Sequence, residues 1–482
     1  MTPPRFDLAA AARQEMIEHG FNPDFPKDAG QQIADIRARR LDVQARDLRG
    51  LPWSSIDNDT SRDLDQIEVA ERTGDGIRVR VAIADVDFAV DLRTPIDRHA
   101  AGETTSVYTG VRTFSMLPEE LSTDLTSLNE REDRMAIVVE YTVDRDGSLH
   151  DPAIYRALVS NRAQLAYNAT GAWLQAGTEE PPKIAASEEL QAQLKLQDEA
   201  SERLCEARHK LGALDFERLE AETILAEGQV VDLRARSRNR ATRLIEDFMI
   251  AANHVMAQTL ASAGVSSIRR VVRTPERWPR IQALAAEHEW QLPSTPDSSA
   301  LNAFLKNVQH EDPDHYADVS LAIIKLMGPG EYMLVRGGEE SPGHFALAVH
   351  DYTHSTAPNR RFADMVTQRL VKAVLSKRAA PYADQELDAI ARRCTEREDA
   401  ARKVERKMGK RVAALALHSR LGQIFRAVVT GNTPKGVFVR IDAPPAEGLL
   451  VRGERGVDVG DVLRVKLVGA DPQRGYIDFA RV

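Results

Sequence analysis

Cysteine is nearly missing. Cys205 and Cys394 are the only two in 482 residues, too far apart in sequence to suggest a disulfide framework, and this fits a reducing compartment. Aromatic side chains are scarce at 5%, so an isolated Tyr or Phe is core by default and a stacking platform only where its context demands it. No apolar run is long enough to span a bilayer, and Met1-Thr2-Pro3-Pro4-Arg5-Phe6-Asp7 lacks the apolar stretch of a secretory leader. Positive charge is not in excess. The formal net charge of −9 argues against a protein that coats nucleic acid with Lys and Arg, but leaves open one that confines them to a channel. There is no internal repeat and no low-complexity tract. A cytoplasmic monomer without a membrane partner is expected, long enough for two or three domains.

Acid is concentrated in one place. Asp57, Asp59, Asp63 and Asp65 fall within nine positions of the run 55–66. Carboxylates at that density repel one another unless a hard cation or a proton lies between them. Read as a calcium loop, Asp57, Asp59, Ser61, Asp63, Asp65 and Glu68 take the ligand positions, but Arg62 stands where a Gly is needed. The flanks also disagree, because Ile67-Glu68-Val69-Ala70, the turn Thr73-Gly74-Asp75-Gly76 and Ile77-Arg78-Val79-Arg80-Val81 read as a β-hairpin. The better expectation is a magnesium or manganese site at a sheet entrance, with positions left open for water and a phosphate.

The rest of the chain divides by pattern. Residues 1–46 read as a short helical segment, with Asp7 and Asp28 as caps. Residues 47–143 are mainly strand, 188–211 an amphipathic helix, and 240–263 a second helix stopped by Gly264. A strand pair is expected around Glu227-Gly228, a strand at 344–349, a helix from about Arg360, and a long charged helix from 384 to about 420. The last 60 residues carry five short apolar segments separated by Gly, Asn, Asp and Pro turns, the pattern of a small five-stranded barrel. From 420 onward ten Lys and Arg face seven Asp and Glu, a weak pointer to nucleic acid in an otherwise acidic chain.

Beside the acidic loop stands Tyr352-Thr353-His354-Ser355-Thr356-Ala357-Pro358-Asn359-Arg360-Arg361. Two arginines at a helix start make a phosphate cradle of guanidinium and free N–H donors, or else pair with surface acids. The basic stretch 234–240 is either a solvated face or the lining of a phosphodiester channel.

Taken in order, these motifs resemble the RNase II/RNase R (RNB) family of 3′→5′ exoribonucleases. The residues carrying the resemblance are Ile56-Asp57 with Asp63-Leu64-Asp65-Gln66, Ile83-Ala84-Asp85-Val86, and Thr105-Ser106-Val107-Tyr108 with Met116-Leu117-Pro118. Leu121-Ser122, Ser127-Leu128, Ile245-Glu246-Asp247-Phe248-Met249 with Ala252-Asn253, and His344-Phe345-Ala346-Leu347 through to Arg360-Arg361 continue it. The likeness runs from about 47 to 482.

It implies an α+β fold: an RNB catalytic domain of mixed sheets surrounded by helices at 47–418, then an S1-like OB-fold barrel at 419–482. It implies magnesium, with manganese as a substitute, held by Asp57, Asp63, Asp65 and Gln66. Arg360 is expected to stabilise charge on the phosphate, while Tyr108, Tyr167, Phe216, Glu246, Arg361 and Phe438 contact RNA. The implied activity is processive, sequence-independent hydrolysis of single-stranded RNA from its 3′ end to 5′-mononucleotides, including structured RNA with a 3′ overhang. The alternative is a catalytically weakened RNA-binding adaptor.

Departures sharpen these expectations. Gln66 replaces the family's fourth Asp, Ala82 and Val272 replace histidines, and Asn359 stands where Ile is usual. Residues 1–46 leave no room for the usual cold-shock barrels, so RNA access would be shaped by the helical segment and the C-terminal barrel. Asp59 is the candidate to compensate for Gln66, in an enzyme that binds magnesium more loosely.

Overall fold

In the computed structural model, which describes residues 7–482 apart from 43, 177–179, 217–219, 227–228, 237, 314 and 435, two short helices lead. Asp7 accepts a hydrogen bond from the Ala10 N–H at 2.9 Å and opens α1 (Leu8–Glu18). Asp28 stands at the start of α2 (Ala29–Arg37) but its side chain makes no capping bond.

Strands β1 (Arg46–Asp47), β2 (Ser54–Asp57), β3 (Gln66–Thr73) and β4 (Gly76–Ala84) follow. The β3–β4 pair is the expected hairpin, in register from Gln66↔Ile83 to Thr73↔Gly76. It turns through Gly74 at φ 58°, a conformation that suits a residue without Cβ. A loop running into a hairpin removes the calcium alternative, which needs a helix on each side. Short helices α3 (Val86–Ala89) and α4 (Pro95–Glu103) precede a small hairpin of β5 (Val107–Tyr108) and β6 (Thr113–Phe114). The long strands β7 (Asp133–Val143) and β8 (Leu149–Ser160) and the short β9 (Ala163–Ala166) complete a seven-stranded sheet ordered β1-β8-β7-β4-β3-β2-β9.

Helices α5 (Tyr167–Ala176), α6 (Pro182–Ala185) and α7 (Glu188–Lys210), the pair β10 (Glu220–Ala226) and β11 (Gln229–Arg236), and α8 (Arg240–Ser262) come next. The expected strand pair is therefore present, though Glu227-Gly228 lies outside the described residues. Leu194 of α7 and Leu244, Phe248 and Val255 of α8 enter the same core as Ile77, Val79 and Val139 of the sheet. Because β2 pairs with β3 only at Ser54↔Glu68, β3 is an edge by Ala70. The Gln193 side chain of α7 completes that edge, donating to the Ala70 carbonyl at 2.8 Å and accepting from its N–H at 2.9 Å.

Strand β12 (Ser267–Val271), helices α9 (Trp278–Glu287), α10 (Ser298–Glu311) and α11 (Tyr316–Met327), and strand β13 (Glu331–Val335) form the next stretch. The three helices share a separate core around Trp278, Phe304 and Ile323. The strand expected at 344–349 is instead a single 3₁₀ turn, Phe345–Leu347. The His344 ring accepts from the Leu347 N–H at 3.2 Å, and Ala348 takes a left-handed conformation at φ 52° that no strand tolerates.

Helix α12 (Phe362–Leu375) is buried against the sheet, and α13 (Asp384–His418) runs for 35 residues, about 50 Å at 1.5 Å per residue. Strands β14 (Ile424–Thr433), β15 (Gly436–Asp442), β16 (Pro445–Arg452), β17 (Val462–Asp471) and β18 (Tyr476–Arg481) close the barrel that the turn spacing implies, ordered β14-β15-β16-β18-β17. The fold is α+β, a mixed sheet flanked by helices with a five-stranded barrel at its C-terminal end. Among the described residues, no helix is long and apolar enough to cross a membrane.

Candidate active site

The acidic run folds as a loop tied down at both ends. Asp57 closes β2, and its Oδ1 accepts from the Asn58 N–H at 2.7 Å and the Ser61 hydroxyl at 2.9 Å. Ser127 holds the other end: its hydroxyl accepts from the Leu64 N–H at 2.9 Å and donates to the Arg62 carbonyl at 2.7 Å. The loop thus presents Asp57, Asp63 and Asp65 from a fixed backbone, and Asp59 sits exposed on the turn between them.

A second segment meets this loop from nearly 300 residues away. Asn359 donates its backbone N–H to Asp65 Oδ1 at 2.9 Å, and Arg360 brings its Nε to 3.4 Å from Asp65 Oδ2. Several of the motifs serve to hold that segment. Asn253 of α8 accepts from both the N–H and the hydroxyl of Ser355 at 2.8 Å, and Asp364 accepts from the Ala357 N–H at 2.8 Å. Ser106 donates to the Arg360 carbonyl at 3.0 Å and Phe362 to that of Thr104 at 2.9 Å, which lays the β5–β6 hairpin beside Arg360. Tyr108, at the hairpin's exposed edge, then donates its hydroxyl to Asp63 Oδ2 at 3.3 Å. By contrast Asp85, in the Ile-Ala-Asp-Val motif, caps α3 and pairs with Lys372 at 2.7 Å, a structural role.

The two arginines differ. Arg361 is committed to Asp364 through two bonds, Nε at 2.9 Å and Nη2 at 2.8 Å. Of the expected cradle, the Phe362 N–H is already used, and Arg360 keeps a side chain that is 46% exposed. Arg361 nevertheless lines the same cleft as Arg360, with Nε and Nη2 committed to Asp364. Behind Arg360 lies a cleft of about 250 Å³ lined by Tyr108, Tyr332, His354, Arg361 and Arg402 among others.

The acids behave as a set that wants a cation. Burial pushes the Asp65 carboxyl up to about 7, against the pull of Arg360, and burial likewise raises Asp63. Among the described residues, Asp65 Oδ2 is buried with no hydrogen-bond partner. A buried carboxylate oxygen left without a hydrogen bond, among other hard oxygen donors, fits magnesium or manganese, since a dication offsets the charge of clustered carboxylates. Among the described residues no three such groups converge closely enough to enclose a metal unaided, so water or a substrate phosphate would have to complete the shell. Gln66, the first residue of β3, is buried and contributes at most a neutral amide oxygen.

Glu68 is the residue that sequence reasoning missed as anything but a decoy ligand. It shares a strand face with Gln66 and is fully buried, and among the described residues neither carboxylate oxygen has a hydrogen-bond partner. Burial, with Asp57 nearby as the second cause, pushes its pKa well above the ordinary value. The only available signal was an acid inside the apolar run 67–70.

The remaining expected contacts are spread around the site. Tyr167 opens α5 directly after β9, whose Ala166 pairs with Asp57, so it stands beside the acidic loop. Phe216 is half-buried against the α9–α11 core. Glu246 lies on α8 and accepts from Arg238 Nη2 at 2.6 Å. Phe438 is half-buried on β15 of the barrel, far along the chain from the other contacts. Within the basic stretch, Arg238 pairs with Asp215 and Glu246, and Arg240 with Asp198 and Glu202.

Comparisons with known proteins agree on one family. Residues 45–377 match the RNB domain, and residues 423–482 match the RNase II-type exonuclease C-terminal S1 domain. The chain is 31% identical to Ribonuclease R of Thermotoga maritima, covering 99% of this chain and 71% of that protein. It is 30% identical to Ribonuclease R of Escherichia coli, covering 88% of this chain and only 54% of that protein. Among solved structures, Mycoplasma genitalium RNase R in complex with ribose methylated single-stranded RNA superposes with a TM-score of 0.86. That match covers 99% of this chain and 78% of that one at 23% identity, a likeness of fold.

Proposed function

The chain belongs to the RNB family, and from that premise we propose that it is a magnesium-dependent 3′→5′ exoribonuclease. It hydrolyses single-stranded RNA processively, without regard to sequence, and releases 5′-mononucleotides. Structured RNA is a substrate when it carries a 3′ overhang. One observation supports this reading above the others: a buried oxygen of Asp65, without a hydrogen bond among the described residues, lies 3.4 Å from the Nε of a partly exposed Arg360. An anionic ester bound beside this pair meets an anion-stabilising donor in Arg360 and, next to it, a carboxylate that calls for a cation.

Asp57, Asp63 and Asp65 would hold the metal, with the amide oxygen of Gln66 as a weaker contributor. Magnesium or manganese there supplies charge neutralisation and acidifies a water. The protein's own residues do the rest. Arg360 donates to the phosphate as negative charge builds on it, and the Asn359 N–H keeps Asp65 oriented. Tyr108, tied to Asp63, stands at the lip where the final nucleotides sit, and its ring stops the strand from advancing without a stacking partner. Tyr167 and Phe216 stack bases, which is blind to base identity and therefore sequence-tolerant. Phe438 and the barrel's basic residues hold the strand further upstream.

The test uses single-stranded RNA labelled at its 3′ end, with magnesium and with Asp65→Asn as the blank. Rapid release of labelled mononucleotide supports the proposal. Retention of full-length RNA with tight binding would instead support the adaptor reading, which Gln66 favours because it replaces a charged ligand with a neutral one. Gln66→Asp separates degrees of the first outcome. Restoring the acid should lower the magnesium concentration for half-maximal rate, and an unchanged value would mean that position 66 does not touch the cation.

A further inference from the structure

Two residues of the basic stretch, Arg238 and Asn239, do something that neither a solvated face nor a channel lining would do. Asn239 caps α8 reciprocally: its Oδ1 accepts from the Thr242 N–H at 3.0 Å, and its own N–H donates to the Thr242 hydroxyl at 2.8 Å. Capping needs only the side-chain oxygen. The remaining amide nitrogen, Nδ2, points the other way and donates to the backbone carbonyl of Tyr167 at 3.1 Å. One turn further along α5, Gly171 leaves the space for that amide. A Cβ built there would lie 2.4 Å from both Cγ and Oδ1 of Asn239, a distance that real side chains do not show. The first turn of α5 is thus shaped around this one amide.

Arg238 reaches in a different direction. Its Nη1 donates to Asp215, the residue before Phe216, and its Nη2 donates to Glu246 at 2.6 Å. Asp215 is held from behind as well, its carbonyl accepting the Tyr316 hydroxyl at 2.5 Å. Adjacent residues at the head of one rigid helix therefore grip the backbone of Tyr167 on one side, and on the other the neighbour of Phe216 together with Glu246.

We propose that Arg238-Asn239 is a positioning unit that fixes the spacing between the Tyr167 and Phe216 rings, and so the tightness with which single-stranded RNA is held between them. The proposal rests on the reading that both rings stack on RNA. Neither Arg238 nor Asn239 need touch the nucleic acid. They act through the two aromatics, as a bracket.

The test measures binding of a fluorescein-labelled single-stranded oligouridylate in EDTA, where no cleavage intervenes, together with melting temperature. Asn239→Asp is the informative variant. Asp caps a helix as well as Asn does, so melting should stay within about 2 °C, but its carboxylate faces the Tyr167 carbonyl oxygen without a hydrogen to offer. We expect RNA binding to weaken roughly fivefold or more, the lower end of what one lost base stack costs. Combined with Tyr167→Ala, Asn239→Asp should add nothing further, because both changes remove the same stack. Arg238→Gln should weaken binding and Arg238→Lys should recover part of it. Arg238 is 31% exposed at the surface, so this pair carries the test if Asn239→Asp melts early.

If Tyr167→Ala weakens binding while Asn239→Asp leaves it unchanged, the bracket is wrong and the stacking survives. An additive double variant also overturns the bracket. If Tyr167→Ala and Phe216→Ala both bind RNA like the unaltered protein, the stacking reading itself falls and the bracket with it.

Discussion

Arg360 and Arg361 are neighbours in sequence with opposite fates in the fold. Arg360 stands partly exposed beside Asp65, while Arg361 is held bidentately by Asp364 at the head of α12. Arg360→Ala should therefore lower kcat about a hundred- to a thousandfold with little change in melting, as loss of a transition-state donor does. Arg361→Lys should behave the other way. Lysine cannot reproduce the planar two-bond fork, so the buried Asp364 is left short of a donor and stability suffers before catalysis does. Steady-state rates and thermal melts on the two variants check this. A melting loss confined to Arg360→Ala would reverse the assignment.

Glu68 carries a prediction about pH. An exposed glutamate titrates near 4.5, and burial holds the folded-state value well above that, with Asp57 adding to the shift. Below pH 4.5 both folded and unfolded chains keep the proton and nothing is lost. As pH rises past 4.5 the unfolded chain releases its proton while the folded chain cannot, so stability falls by about 1.4 kcal/mol per pH unit until the folded value is reached. Glu68→Gln removes this slope. In EDTA its melting temperature should exceed that of the unaltered protein more at pH 8 than at pH 5. Equal differences at the two values would mean that Glu68 has found a partner.

Elements were legible to the extent that their signals are local. The hairpin of β3 and β4 follows from alternation plus Gly74, and α7 and α8 follow from apolar spacing, with Gly264 as the stop of α8. The segment 344–349 was not legible, because an apolar run of six residues looks the same as strand or turn. What decides it is the His344 ring on the Leu347 N–H and the positive φ of Ala348, neither of which the run itself encodes. The site divides in the same way. Asp57, Asp63, Asp65 and Arg360 could be named from motif order, and Ser127 too, but the bonds made by Ser127, the Asn359 N–H and Gln193 are contacts across the fold that no local pattern announces. Gln193 offers the test at this scale. Gln193→Ala leaves the Ala70 N–H and carbonyl of β3 unmet on the helix-covered side, so chemical denaturation should show a loss of about 2 kcal/mol. A change below about 0.5 kcal/mol would mean that water replaces the amide there.

At the scale of the whole molecule, the barrel is not an appendage on a linker. Helix α13 continues from the catalytic body into the barrel, and Val404, Met408, Val412 and Leu417 on it join Val429, Val465, Leu467 and Phe479 of the barrel in one core. The same core takes in Leu8, Ala12 and Met16 of α1. Glu15 of α1 is buried against α13, accepting from Lys407 at 3.0 Å and Arg411 at 2.9 Å. The first helix and the last domain are therefore coupled through a helix that neither belongs to alone. Removing residues 423–482 should uncover the C-terminal half of α13, let it fray, and loosen α1, although α1 lies at the opposite end of the sequence. Hydrogen exchange measured on the full and shortened chains should show amides of α1 and of the last turns of α13 exchanging roughly tenfold faster or more, while β4 and β7 in the central sheet keep their protection. If α1 kept its protection after the barrel was removed, the shared core would be two cores that merely touch. The effect of barrel loss on RNA degradation would then reflect lost strand contacts alone rather than a weakened body.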